Sequence, residues 1–219
     1  MRRSSTRARS GCSSPTDVDP VSGRLEEDAV AHPGNHYGVY KLANEGNAAD
    51  LLADSGVASI GLRPMTVYGV GRDQGMTSSP TVAIAAAVLG QPFEISFGGG
   101  HGLPVRGGRG EDRCCSRSRS SPDGARVSNL GGDPVDDRRL GRRRSRPRCR
   151  RRPGLITIAD TLLPFPSQIA HESLASLGSV PETPYRDGIA ASAEIYRRLA
   201  AEGRLVASEQ GVPSAVASA

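Results

Sequence analysis

Nineteen of the 27 arginines in this 219-residue chain fall in three windows, 1–10, 105–120 and 136–153. Those 44 residues carry 19 bases and 4 acids, whereas the other 175 carry 9 bases and 19 acids. The net charge of +5 is therefore the sum of an acidic protein and three short basic inserts. Neither 113–119 nor 138–146 has an apolar period, so burial cannot offset the entropy of ordering them. Both are expected to be disordered. The stretches left to build a core are roughly 17–100, 121–135 and 153–219. A structureless insert inside one compact domain is uncommon and argues against a simple reading of the chain.

Outside the windows the periodicity is regular. Over 36–55, Val39, Leu42, Ala43, Ala49, Leu51 and Leu52 form an apolar stripe that predicts a helix, with Gly56 to stop it. The run 57–63 reads as a buried strand ended by Pro64. An Ala- and Val-rich helix is expected over 81–89, with Pro80 at its start and Gly90 at its end. Strands are expected over 92–97, 126–130 and 155–159, and helices over 166–177 and 187–202. Alternating helix and strand signals imply an α/β architecture.

Composition narrows the function classes. Only 37% of residues are apolar, 4% are aromatic and tryptophan is absent, so large core anchors are scarce. Cys12, Cys114, Cys115 and Cys149 include no C-x2-C pair and have no histidine at a partnering distance. No metal site is expected. The basic start lacks a following apolar segment, and no apolar run reaches the ~18 residues of a membrane span. The expectation is a reduced, cytoplasmic protein with no membrane partner.

The segment that carries chemistry is Tyr37-Gly38-Val39-Tyr40-Lys41. A Tyr-x-x-x-Lys spacing on a helix places both side chains on one face, one turn apart. A free tyrosine has a pKa of about 10 and is a poor base at neutral pH. A neighbouring ammonium, helped by a positively charged nicotinamide, stabilises a phenolate, which can then accept a hydroxyl proton as hydride leaves. The lysine keeps donors for a ribose hydroxyl. An ordinary helix face offers the same spacing, so context decides.

The context is a second block, Leu62-Arg63-Pro64-Met65-Thr66-Val67-Tyr68-Gly69-Val70-Gly71-Arg72, one helix and one strand later. Together the two blocks resemble the NAD(P)-dependent epimerases and dehydratases of the extended short-chain dehydrogenase type. The resemblance implies the C-terminal part of a Rossmann-like, doubly wound parallel sheet with a small substrate lobe, interrupted by the Arg-rich segments. The catalytic part would span 17–100. Substrate-lobe pieces would span 121–135 and 154–205, with 1–16, 101–120, 136–153 and 206–219 disordered or out of frame.

By the same resemblance, Tyr37 is the catalytic acid/base and Lys41 its partner, both touching cofactor. Ser5, in Ser4-Ser5-Thr6, takes the place of the substrate-bonding serine, although the residues after it depart from the family's pattern. Pro64 would line the nicotinamide pocket and Arg72 would meet the substrate. The implied cofactor is NAD or NADP, the substrate a nucleotide sugar or related polyol, and the partner a second copy through helix 36–55. The glycine-rich turn that holds a dinucleotide's pyrophosphate is not found in these residues. The spacing of Gly69, Gly71 and Gly75 imitates it but falls in the loop after the Arg-Pro strand. The chain is therefore expected to be a truncated relative, inactive by itself. A basic nucleic-acid-binding protein is the competing reading, weakened by the lack of aromatics among the arginines.

Arginine, glycine, serine, proline and cysteine are what GC-rich coding DNA yields in a wrong frame, and Lys41 is the single lysine of the chain. The windows are thus read as out-of-frame translation between in-frame islands. Resequencing the gene should reveal, in another frame across 105–120 and 136–153, an apolar period of helical or strand type. If all frames are equally aperiodic, the windows are genuine protein sequence and the reading fails.

Overall fold

The computed structural model describes residues 4–7, 17–98, 103–107, 124–131, 134–135, 154–161, 163, 166, 168–177, 183–207 and 213–215. The chain divides into two compact units. The first comprises Met1–Met65, Arg109–Gly132 and Leu163–Glu182, and the second Thr66–Gly108, Asp133–Leu162 and Thr183–Ala219.

The first unit is built on a three-stranded parallel sheet of β1 (Ser4–Arg7), β2 (Ser59–Pro64) and β6 (Ala125–Leu130), with β2 in the middle. Ser5 pairs with Ile60 on one side of β2, and Pro64 pairs with Leu130 on the other. The helix α1 (His36–Ser55) lies against all three strands. Its ends are set locally. The Asn35 side chain accepts the Gly38 amide at 2.9 Å, and Gly56 turns left-handed at φ 64 so that its N–H reaches the Leu52 carbonyl. Only Gly38 of its 20 residues is buried.

Leu25, Met65 and Ile169 form a small apolar cluster. Leu25 and Ile169 form a parallel bridge, with Leu25 N–H donating to the Gln168 carbonyl and Ala170 N–H to that of Leu25. Here the helix expected over 166–177 gives way to an extended piece and a 3-10 helix, Glu172–Leu177. The physical reason is tertiary. The Ala170 amide is spent on Leu25 and the Ser173 amide on the Glu27 carboxylate at 2.7 Å, bonds that an α-helical turn would need for itself.

The second unit holds β3 (Thr66–Tyr68), α2 (Ser79–Leu89), β4 (Phe93–Ile95), β5 (Leu103–Gly107), β7 (Pro134–Val135), β8 (Ile156–Ile158), α3 (Tyr185–Ala201), β9 (Leu205–Ala207) and β10 (Pro213–Ala215). β3 and β5 run parallel, β5 and β7 antiparallel, β4 and β8 parallel, and β9 and β10 antiparallel. α2 begins with Pro80 in its first turn and ends at Gly90 in the left-handed region, and Thr81 to Ala86 are all buried. Its core joins Tyr68, Ile84, Ala85, Tyr196 and Leu205. The Tyr68 hydroxyl donates to the Tyr185 carbonyl at 2.8 Å and lies where a Cβ on Gly188 would stand 2.2 Å away, so this turn of α3 requires glycine.

Three expected disordered stretches contain paired strands. Ser4–Arg7 within 1–16, Leu103–Gly107 within 101–120, and Pro213–Ala215 with the end of β9 within 206–219 are all hydrogen-bonded in sheets. Ladder pairing uses main-chain groups, so a run such as Ser-Ser-Thr-Arg can join a sheet without any apolar alternation to announce it. The rest of these stretches, the whole of 136–153 and all four cysteines lie outside the described residues. Among the described residues no helix is long and apolar enough to cross a membrane.

Burial in this core pushes the Tyr196 phenol up to about 12, helped by the negative charge of Asp73. Because the folded value lies above the usual value near 10, the folded state favours the neutral phenol. Stability from this site is complete below about pH 10 and is lost as pH rises through 12. In urea melts between pH 9 and 12, Tyr196→Phe should show a flatter alkaline limb than the unsubstituted chain. Parallel limbs would show that Tyr196 does not titrate with unfolding.

Candidate active site

The tyrosine and lysine that the spacing singles out do meet. Lys41 Nζ stands 5.3 Å from the centroid of the Tyr37 ring, over its face. This is the cation–π arrangement expected of side chains one helical turn apart. Tyr37 is 46% exposed and Lys41 is half-buried, so both are open to a ligand from the solvent side.

One residue further along the same stripe, at the next helical turn, is Glu45. Both its oxygens are held by Arg63 of β2, with Nε donating at 2.7 Å and Nη2 at 2.6 Å. The two side chains are only 10% and 12% exposed. The planar guanidinium and the carboxylate thus meet in a bidentate, mostly buried pair, the strongest form such a contact takes. It fastens α1 to the middle strand immediately before Pro64. Arg63 stands inside the second block and Glu45 four residues beyond Lys41, and periodicity alone does not link them. The signal available was the i, i+4, i+8 series Tyr37, Lys41, Glu45, which puts an acid on the sheet-facing stripe, where it needs a cation.

The other candidates are placed as follows. Ser5 sits on β1, directly beside β2 and under α1. Pro64 is buried and closes β2 at the carboxyl end of the parallel sheet, next to Leu130 of β6. Ligands of open α/β sheets occupy the crevice outside such strand ends. Tyr37, Lys41, Ser5 and Pro64 thus belong to the first unit. Arg72 belongs to the second. Its Nη2 donates to Thr77 Oγ1 at 3.0 Å, and its guanidinium packs over Gly75, where an added Cβ would lie 3.3 Å from Nη1. Gly71 and Gly75 have φ of 89° and 92°, so these glycines serve the turn that folds Arg72 back. Gly69 N–H donates to Thr81 Oγ1 at 3.1 Å, at the start of α2.

A polar network that the sequence did not suggest closes the first unit. Glu27 accepts both the amide and the hydroxyl of Ser173, and that hydroxyl also lies 3.0 Å from Ser128 Oγ on β6. Asn129 Nδ2 donates to the Ala170 carbonyl at 2.9 Å. The segment leading into α1 is thereby tied to the carboxyl end of β6. Among the described residues no group of three or more His, Cys, Asp or Glu side chains is arranged to hold a metal ion.

With this geometry in hand, comparison with solved structures is decisive for the fold. MoeE5 in complex with UDP-glucuronic acid and NAD superimposes with a TM-score of 0.69 at 24% identity, covering 90% of this chain and 66% of that one. The UDP-glucose 4-epimerase of Thermotoga maritima, bound to UDP-glucose, gives 0.70 at 16% identity over 90% of this chain and 64% of the other. The dTDP-glucose 4,6-dehydratase of Bacillus anthracis, with NAD, gives 0.64 at 13% identity over 89% and 61%.

The chain has the fold of the NAD-dependent epimerases and dehydratases. It spans about two thirds of the length of these proteins or slightly less. No family profile matches the sequence, and no curated protein matches it. Within this fold, the parallel β1–β2–β6 sheet and α1 form one assembly, and α1 carries the Tyr37–Lys41 pair.

Proposed function

We propose that this chain carries the proton-transfer and substrate-side part of an NAD(P)-dependent epimerase or dehydratase acting on a nucleotide sugar. One observation carries the reading. A Tyr-x-x-x-Lys pair, in contact and half open to solvent, stands on the helix that covers a parallel sheet of this fold.

The nicotinamide-ribose end of a dinucleotide fits the residues present. The Lys41 charge is occupied by the face of the Tyr37 ring, which leaves its N–H groups able to donate to ribose hydroxyls. The bound dinucleotide supplies the hydride acceptor. Tyr37 accepts the proton of the sugar hydroxyl as the carbon–hydrogen bond of that carbinol gives up hydride, so the alcohol becomes a ketone. Lys41 holds positive charge beside the phenolate throughout. Ser5 is assigned to hydrogen-bond the reacting hydroxyl from β1, and Pro64 to line the nicotinamide pocket. Arg72 is assigned to the anionic or hydroxyl groups of the substrate. In the same reading the sheet is the C-terminal part of a Rossmann-like, doubly wound sheet with a small substrate lobe, and the protein is cytoplasmic.

Two companions of the reading follow. α1 leaves Val39, Tyr40 and Leu51 exposed, and we assign this apolar side to pairing with a second copy. The 219 residues include no glycine-rich pyrophosphate turn of their own, so alone they should not turn over a nucleotide sugar. Without prepositioned cofactor, such a reaction forgoes the roughly 7–11 kcal/mol that proximity can supply.

The test supplies what is lacking. The chain is joined behind the dinucleotide-binding part of MoeE5 and given UDP-glucuronic acid or UDP-glucose with NAD. We expect transient reduced-nicotinamide absorbance or an epimerised product, with Tyr37→Phe about 10²–10⁴-fold slower. A fusion that folds and binds NAD, yet treats Tyr37→Phe and the unsubstituted chain alike, contradicts the reading.

A further inference from the structure

Lys41 has two potential partners on its own helix face. Tyr37 lies four residues before it and Glu45 four residues after, and both spacings bring side chains into reach. An ammonium between an aromatic ring and a carboxylate would ordinarily be drawn to the carboxylate. That pull is stronger here, because Glu45 is mostly buried and an uncompensated charge in such a place demands a counter-ion. Yet Lys41 stands over the Tyr37 ring, and both Glu45 oxygens are taken by Arg63.

We infer that Arg63 is a positioning residue that occupies Glu45 and so keeps Lys41 on Tyr37. The inference rests on the reading of Tyr37 and Lys41 as the proton-transfer pair, and it adds a requirement that the pair itself does not express. Arg63 satisfies the acid with a planar two-donor fork, which a lysine could not match with one ammonium. Its position directly before Pro64 lets the strand that ends at the proposed nicotinamide pocket also control the charge beside the phenol. Loss of Arg63 would leave the ammonium a turn away from the phenol without removing a group that touches substrate.

The test uses the fact that Lys41 is the only lysine in the chain. Incorporation of 13C,15N-lysine into the full chain gives one set of side-chain NMR signals, read directly for ring current. In the unsubstituted protein the ε-methylene should be shifted upfield, and Tyr37→Leu should abolish the shift and so assign it. Arg63→Met should lose at least half of that shift as the ammonium swings toward Glu45. Arg63→Gln should lose it as well, while still donating one bond to Glu45 and holding the helix to β2, so the inference stays testable if Arg63→Met fails to fold. The double variant Glu45→Leu/Arg63→Met, with no carboxylate to attract the lysine, should recover it. A purely structural role predicts no such recovery.

The inference is overturned if Arg63→Gln keeps the full upfield shift, or if the double variant loses it along with the single. Because the signal is read without substrate or cofactor, its outcome is separate from the fusion experiment. A fusion without hydride transfer, alongside the expected NMR pattern, would reject the functional reading and leave the positioning intact.

Discussion

The bidentate contact between Glu45 and Arg63 is the constraint on which the first unit depends. α1 buries only Gly38 among its 20 residues, so apolar burial does little to choose which side of the helix meets the sheet. Burial of a Leu or Val side chain contributes roughly 1.5–3 kcal/mol, and here Val39, Tyr40 and Leu51 remain exposed. Removing one partner of a buried ion pair costs about 3–5 kcal/mol. A rotation of α1 that separated the two groups would strand both charges, so the pair fixes how α1 is rotated even where the matched pair adds little net stability. Since Tyr37 and Lys41 occupy the same stripe as Glu45, rotation fixed at one end is rotation fixed at the other.

Around that contact, the first unit is held by links between distant parts of the chain. β1 and β6 flank β2 although they lie more than fifty residues from it in sequence. The piece 25–27 is bound to 168–173 by a two-way backbone bridge and by the Glu27–Ser173–Ser128 hydroxyl and carboxylate network. Leu25, Met65 and Ile169 add an apolar cluster to these links. Each link brings the approach to α1 closer to the carboxyl ends of β2 and β6, the edge at which α/β sheets receive ligands.

Much of this was legible because it is local. The limits of α1 follow from Asn35 and Gly56, and those of α2 from Pro80 and Gly90, so both helices occur within two residues of the expected ranges. The Tyr37–Lys41 contact is written in a four-residue spacing. Other features depend on partners far along the chain. Nothing in Ser4–Arg7 marks a strand, because its ladder bonds come from Ser59–Leu62. The helix expected over 166–177 had a fair apolar pattern, but Leu25 and Glu27 claim its amides. Arg63 lies in the second motif and Glu45 one turn beyond Lys41, and only the fold revealed that they face each other. Ser5 and Pro64 are placed by strand register, which periodicity does not specify.

The central claim is that one buried ion pair docks the tyrosine helix onto the sheet. A double-mutant cycle in urea unfolding measures it directly, using Glu45→Leu, Arg63→Met and both together. If the pair sets the docking, Glu45→Leu should cost about 3–5 kcal/mol because it strands the buried guanidinium, and Arg63→Met should cost less because Lys41 can turn to the freed carboxylate. The double should lie within about 1 kcal/mol of the unsubstituted chain, since two apolar side chains can fill the same space. Additive losses, with the double variant as unstable as the sum of the singles, would show that the two residues act independently and that something else holds α1 in place.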